Sequence, residues 1–240
     1  MLDEKILKNI KIKDFSNINA TEAFFHYTSI NNLNGIIKKG LEPRVGNNSK
    51  GVEVNEKVFF SVGVKGVLVL MDAWLKWIIL RPSNNFVYRC GLFFMKKNYF
   101  PKFVVDMIFS NWIKNKNRIK KACKDLKRIL DDSVFLILDL KEYVDFDYND
   151  IDELKNQNFS RKQLKYIYSY IENIEDSKME YWNMHTYVGK VIDKSKITLL
   201  KFNENFCASN ILNHMIKDNI EYIKQNLPFL YEYYNYVIQL

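Results

Sequence analysis

Side chains with chemistry to offer gather in a few places along this 240-residue chain. In Phe24-Phe25-His26-Tyr27-Thr28-Ser29 a short apolar run delivers an imidazole and a phenol, and Phe59-Phe60-Ser61 follows after a polar stretch. Lys178-Met179-Glu180-Tyr181-Trp182-Asn183-Met184-His185-Thr186 sets a carboxylate, a carboxamide and an imidazole among aromatic rings, an odd cargo for a plain strand. Lys114, Lys116, Arg118, Lys120, Lys121, Lys124, Lys127 and Arg128 form a dense basic run. Positive side chains on one surface displace counterions from a nucleic acid backbone, although a merely solvated helix face reads the same way. Asp145 to Glu153 alternates acids but lacks the central glycine and the terminal glutamate spacing of a calcium loop. It reads as a polar loop and helix start, and no metal site is expected.

The elements that must position these groups follow from local pattern. Phe24 to Ser29 reads as a strand, after which Thr28 or Ser29 can cap a helix by accepting an orphan amide hydrogen. Ile30, Leu33, Ile36 and Ile37 recur at helical spacing. Gly40 stands where a helix commonly ends in a left-handed residue. Leu41 and Pro43 lead into a loop from Arg44 to Lys57, and Val58 to Val62 reads as a buried strand. Gly63 and Gly66 mark a turn, and Val67 to Leu80 an apolar helix with Trp74 and Trp77 in the core. Arg81 to Asn85 is a break, and Phe86 to Phe94 a strand followed by a second break at Tyr99-Phe100-Pro101. Residues 104–130 read as a helix, Ser133 to Leu140 as a strand buried on both faces, and 161–173 as a helix. Gly189 turns the chain, Ile197 to Leu200 is a strand, and the tail from 208 to 240 is helical and divided by Pro228. Residues 1–20 read as a short helix or arm.

Composition sets bounds. A hydrophobic content of 48% and an aromatic content of 15% exclude a disordered chain. With only 8 Gly and 4 Pro there is little linker, so residues 1–240 are expected to form a single domain with helical elaborations at 104–130 and 208–240. A net charge of +8 favours an anionic partner, against the alternative of a lysine-rich solubilising surface. Cys90, Cys123 and Cys207 match neither a ligand spacing nor a disulfide framework, which fits a reducing compartment. Val62 to Leu80 is interrupted by Lys65, Asp72 and Lys76, and Met1 to Lys13 lacks a signal-peptide core. A soluble cytoplasmic protein without a membrane partner is expected.

The order strand, His-Tyr, helix, Gly-Leu turn, loop, aromatic strand resembles the ADP-ribosyltransferase fold of the His-Tyr-Glu type, the group of diphtheria toxin and the poly(ADP-ribose) polymerases. His26, Tyr27, Thr28, Leu33, Ile36, Gly40, Leu41, Phe59, Phe60 and Ser61 stand at the matching places, and the likeness covers roughly residues 22–70. The tyrosine that relatives carry after the aromatic strand has no counterpart after Ser61. The resemblance implies an α+β fold, with two small, mostly antiparallel sheets enclosing a cleft for NAD as substrate. Helices at 29–39 and 66–80 would flank it. It further implies that His26 bonds a ribose hydroxyl, that Tyr27 stacks on nicotinamide or shapes its pocket, and that Phe59 or Phe60 lines that pocket. Thr28 and Ser61 are secondary cofactor-binding candidates. A late glutamate would complete the set, and Glu180 is the candidate ahead of Glu142, Glu153, Glu172 and Glu175. His185 would meet the acceptor or assist the attacking group.

A fixed carboxylate beside the ribose would stabilise the oxocarbenium-like charge that develops as the glycosidic bond breaks. The function so implied is transfer of ADP-ribose to a macromolecular acceptor, protein or nucleic acid, by an intracellular bacterial toxin or phage-defence enzyme, with an antitoxin or immunity partner conceivable. Two alternatives stand beside it. An RNA 2′-phosphotransferase would share the fold and consume NAD, but no arginine motif for the phosphate is evident. A non-enzymatic nucleic-acid-binding protein would use the basic helix at 114–128.

Overall fold

The computed structural model describes residues 4–21, 23–43, 58–80, 114–140, 186–188 and 191–239. Several expectations fall outside these residues: the loop at 44–57, the break at 81–85, the strand at 86–94, the first part of the 104–130 helix, the acidic stretch at 145–153 and the helix at 161–173. The described chain is mixed in class, broadly α+β. It divides into two compact units, residues 1–70 with 130–217, and residues 71–129 with 218–240.

The first unit is built on a sheet of six strands: β1 (Lys11–Asp14), β2 (Phe24–Ser29), β3 (Val58–Val62), β4 (Ser133–Leu138), β5 (Thr186–Val188) and β6 (Ile197–Lys201). Their order is β1-β6-β4-β2-β3-β5. Among the described strands only β1 and β6 pair in parallel; the other pairings are antiparallel. β2 lies opposite β4 along its whole length, from Phe24 against Leu138 to Ser29 against Ser133. The expectation of two sheets meets a single strand order, but one in which β3 divides its pairing. Ser61 and Val62 pair with Phe25 and Phe24 of β2, whereas Val58, Phe59 and Phe60 pair with β5. Past Phe25 the two strands part company.

Residues facing each other across neighbouring strands share a face, and alternate residues switch faces. Leu136, Leu138, Ile197, Leu199, Val62 and Phe60 therefore form one apolar layer, which closes against Leu33 and Ile36 of helix α2 (Leu33–Lys39) and Ile6 of helix α1 (Glu4–Leu7). On the other face Phe15, Phe25, Phe135 and Tyr27 make a ring cluster. Phe25 and Phe135 meet edge to face at 6.2 Å, and Tyr27 and Phe135 at 5.8 Å.

Local signals explain the ends of α2. Ser29 Oγ accepts from the Asn31 backbone amide at 3.3 Å, capping the 3-10 turn Ile30–Asn32 that leads into the helix. Gly40, at φ 80° and ψ −170°, ends it, and its amide donates to Ile36 O. Leu41 then exchanges both backbone hydrogen bonds with Ile192. A Cβ on Gly40 would lie 2.3 Å from Ile192 O, so a glycine is required on two counts.

Two local expectations need correction. The glycines after β3 do not make a turn: α3 runs from Gly63 to Leu80, with Gly66 buried inside it. The first amides of α3 are satisfied without a loop, Gly63 N donating to Ala23 O and Val64 N to Ala20 O. Residues 1–20 hold α1 but also β1, a strand at the sheet's edge rather than a free arm.

In the second unit, α4 (Lys116–Asp131) buries Ile119, Ala122, Cys123 and Leu126 and exposes Lys116, Lys120, Lys121, Lys124 and Arg128. α5 (Ala208–Asp218) belongs to the first unit up to Lys217, and α6 (Ile220–Asn226) and α7 (Pro228–Tyr233) follow in the second. Pro228 opens α7 at the first helical position, where its missing amide hydrogen costs nothing. Asp72 Oδ1 accepts from the Leu230 amide at 2.8 Å and supplies the cap that Leu227 cannot.

Candidate functional site

β2 carries His26 half-buried at its centre, opposite Leu136 of β4. Alternation puts Phe24, His26 and Thr28 on one face, the face of Val62 and Phe60. Phe24 and Phe60 meet edge to face at 5.3 Å. His26 is thus the first residue of β2 beyond its pairing with β3, and Phe60 is the first residue of β3, read backwards, beyond its pairing with β2. The imidazole and the Phe60 ring stand where the strands separate. Thr28, on the same face, is buried, and its Oγ1 accepts from Asn32 Nδ2 at 3.1 Å at the start of α2.

Tyr27 and Ser61 belong to the opposite face. Tyr27 donates its hydroxyl to Ser133 Oγ at 2.7 Å and packs its ring against Phe135. Burial pushes its phenol up to about 12, with the Ser133 bond opposing and Asp132 adding a smaller upward push. Ser61 is buried opposite Phe25. The described backbone therefore brings His26, Thr28 and Phe60 together and turns Tyr27 and Ser61 away from them. Of Phe59 the structure gives its register opposite Tyr187. Glu180, Asn183 and His185 lie outside the described residues, as do the other late glutamates Glu142, Glu153, Glu172 and Glu175. Among the described residues no three His, Cys, Asp or Glu side chains come close enough to hold a metal ion. None of the described helices is long and apolar enough to cross a membrane.

A second concentration of polar groups lies elsewhere in the same unit. Asn210, Asn213, His214 and Lys217 recur along one stripe of α5 and, with Phe202 and Asn203 at the end of β6, line a cleft of about 400 Å³. Sequence reasoning missed it, although the spacing 210, 213, 214, 217 places four polar side chains on one helical face. Compared with family models, curated proteins and solved structures, the chain matches none of them.

Proposed function

We propose that this chain is an NAD-dependent ADP-ribosyltransferase whose ligand lies against the His26 face at the parting of β2 and β3. The observation that carries the reading is that parting. The ladder between β2 and β3 stops after Phe25 and Ser61, while β2 keeps β4 beside it and β3 runs on against β5, so the two strands end their pairing beside an imidazole and an aromatic ring. The resemblance further asks for a helix closed by Gly-Leu and for a long apolar helix after the aromatic strand, and α2 with Gly40 and α3 are consistent with it. In this reading the two sheets of the family correspond to β3 with β5 and to β2 with β4, β6 and β1. The bond from ribose C1′ to the nicotinamide nitrogen breaks with its electron pair leaving on nicotinamide. The acceptor's nucleophile bonds to C1′ and gives up its proton. Glu180 supplies the carboxylate that offsets the charge on C1′, and His26 holds a ribose hydroxyl. Incubation with NAD labelled in the adenylate half tests this. Nicotinamide release and a labelled protein, DNA or RNA are expected; absence of both would rule it out, and a cyclic phosphate from 2′-phosphorylated RNA would point to the phosphotransferase instead.

A specific observation favours nucleic acid as the partner. Lys116, Lys120, Lys124 and Arg128 recur every four residues on the exposed side of α4, and Asp125 and Asp131 are its only acids. Like charges at that spacing repel by a few tenths of a kcal/mol per pair, approximately. A polyanion relieves this repulsion. Because the apolar side of α4 is already buried, the helix has no free apolar face for insertion into a lipid surface. Binding to nucleic acid should fall steeply with salt, and Lys120→Glu with Lys124→Glu should flatten the dependence by roughly one unit of slope per lost phosphate contact. A salt-independent affinity would exclude α4 as the contact.

A further inference from the structure

We propose that the cleft between α5 and the β6 turn is a binding site for a nucleoside monophosphate, separate from the His26 face and independent of the NAD reading. The lining residues define the ligand's chemistry. Two carboxamides, Asn203 and Asn210, offer paired donor and acceptor groups, which suit the hydrogen-bonding edge of a base, and a third, Asn213, lies beside them with its oxygen buried. Among the described lining residues Lys217 is the one with a fixed charge and none is a carboxylate, so the cleft favours an anion. Phe202 and His214 stack on each other at 4.4 Å and 14°, with Phe15 edge to face against both, so a base stacks on the outside of this ring pair rather than between the rings. The volume, about 400 Å³, lies within the range of small-ligand clefts.

Two further observations mark the cleft as more than a surface dent. Asn213 Oδ1 is buried and accepts no hydrogen bond among the described residues. A buried acceptor left unpaired destabilises a fold, and a leucine of nearly the same shape would not carry that cost. The carboxamide is thus kept at a position where the fold alone would be better served without it. Next to it, the turn Phe202–Asn205 holds both central residues at positive φ, Asn203 at 49° and Glu204 at 60°, with no glycine. Such turns ordinarily use Asn-Gly or a similar pair. The exposed Glu204 side chain pairs with Lys201 at 2.6 Å, and Asn203 before it lines the cleft. Backbone held in a sparsely populated region tends to accompany binding sites.

Titration calorimetry of the full chain with AMP, ribose 5-phosphate and inorganic phosphate tests the proposal. AMP should bind more tightly than either control. Asn213→Leu and Lys217→Glu should each weaken AMP by about tenfold or more, while Gly35→Ala leaves its affinity unchanged. Without ligand, Asn213→Leu should unfold at a higher temperature than the parent chain. Lys217 is exposed, so its variant reads out binding even where Asn213→Leu folds poorly. No AMP binding, equal affinity for ribose 5-phosphate or phosphate, or AMP affinity kept in both cleft variants would each overturn the proposal. A negative nicotinamide-release assay leaves this titration unaffected, so the two readings fail separately.

Discussion

The Tyr27 hydroxyl donates a 2.7 Å hydrogen bond to Ser133 Oγ, joining the second strand of the chain to one more than a hundred residues later. It ties the phenol to the sheet face away from His26. Tyr27→Phe and Ser133→Ala should each cost about 1 kcal/mol, and the double variant less than the sum, because both remove the same bond. Denaturant midpoints of the four chains measure the coupling; strict additivity would mean the bond contributes nothing.

The same phenol makes stability depend on alkaline pH. Its folded value, about 12, stands above the ordinary 10.0. Above pH 10 the unfolded chain loses this proton before the folded chain does, so the contribution is complete below pH 10 and is lost as pH rises toward 12. The difference in stability between parent and Tyr27→Phe should narrow across that window and be flat below it.

Gly40 and Gly35 should respond to alanine with opposite signs. Gly40→Ala meets Ile192 O and a backbone region open almost only to glycine, and should destabilise by at least about 2 kcal/mol. Gly35 lies within α2 with nothing within 4 Å of an added Cβ. Gly35→Ala should stabilise by roughly 0.5–1 kcal/mol. Thermal unfolding of both chains settles the pair.

Asp72 caps a helix far from it in sequence. Asp72→Ala should cost about 0.5–2 kcal/mol through the freed Leu230 amide. Asp72→Asn should cost less, since the amide oxygen still accepts; the remainder reports the carboxylate's charge at a helix start. Hydrogen exchange at Leu230 should speed up in the alanine variant, and an unchanged rate would show that another group takes over the cap.

If the NAD reading holds, Glu180→Gln should lower turnover by about a hundredfold to a thousandfold with NAD affinity nearly kept, because the amide retains shape but not charge. His26→Ala should weaken NAD binding as well as turnover, because it holds the ground-state ribose. Full activity in Glu180→Gln would move the carboxylate to another residue, with Glu153 the next to replace.

Where apolar runs are long or punctuation is strong, local sequence was enough. Ser133 to Leu138 is buried at every position but Ile137, Gly40 closes α2, and Pro228 opens α7. Legibility failed where pairing is non-local. Lys11-Ile12-Lys13-Asp14 is charged and exposed, and it is a strand because β6 lies beside it. Gly63 and Gly66 looked like turn residues because glycine weakens helices, yet carbonyls of Ala20 and Ala23 hold the start of α3 in place. The β2–β3 parting depends on β5, whose pairing no local pattern announces. The α5 cleft left a signal in its polar stripe at 210, 213, 214 and 217, which becomes a lining only where the β6 turn meets it.

The parallel edge also bears on how the chain matures on the ribosome. Lys11 Nζ donates to Ser195 O across 184 residues, and at roughly 5–20 residues per second the partner of β1 emerges on the order of ten to forty seconds after β1 itself. For that interval β1 is an unpaired segment in a crowded compartment. Its two lysines and one aspartate make it a poor template for another chain's strand. An apolar sequence there would complete the same sheet yet leave a sticky nascent chain, so the composition of β1 answers to its waiting time as much as to its final neighbours.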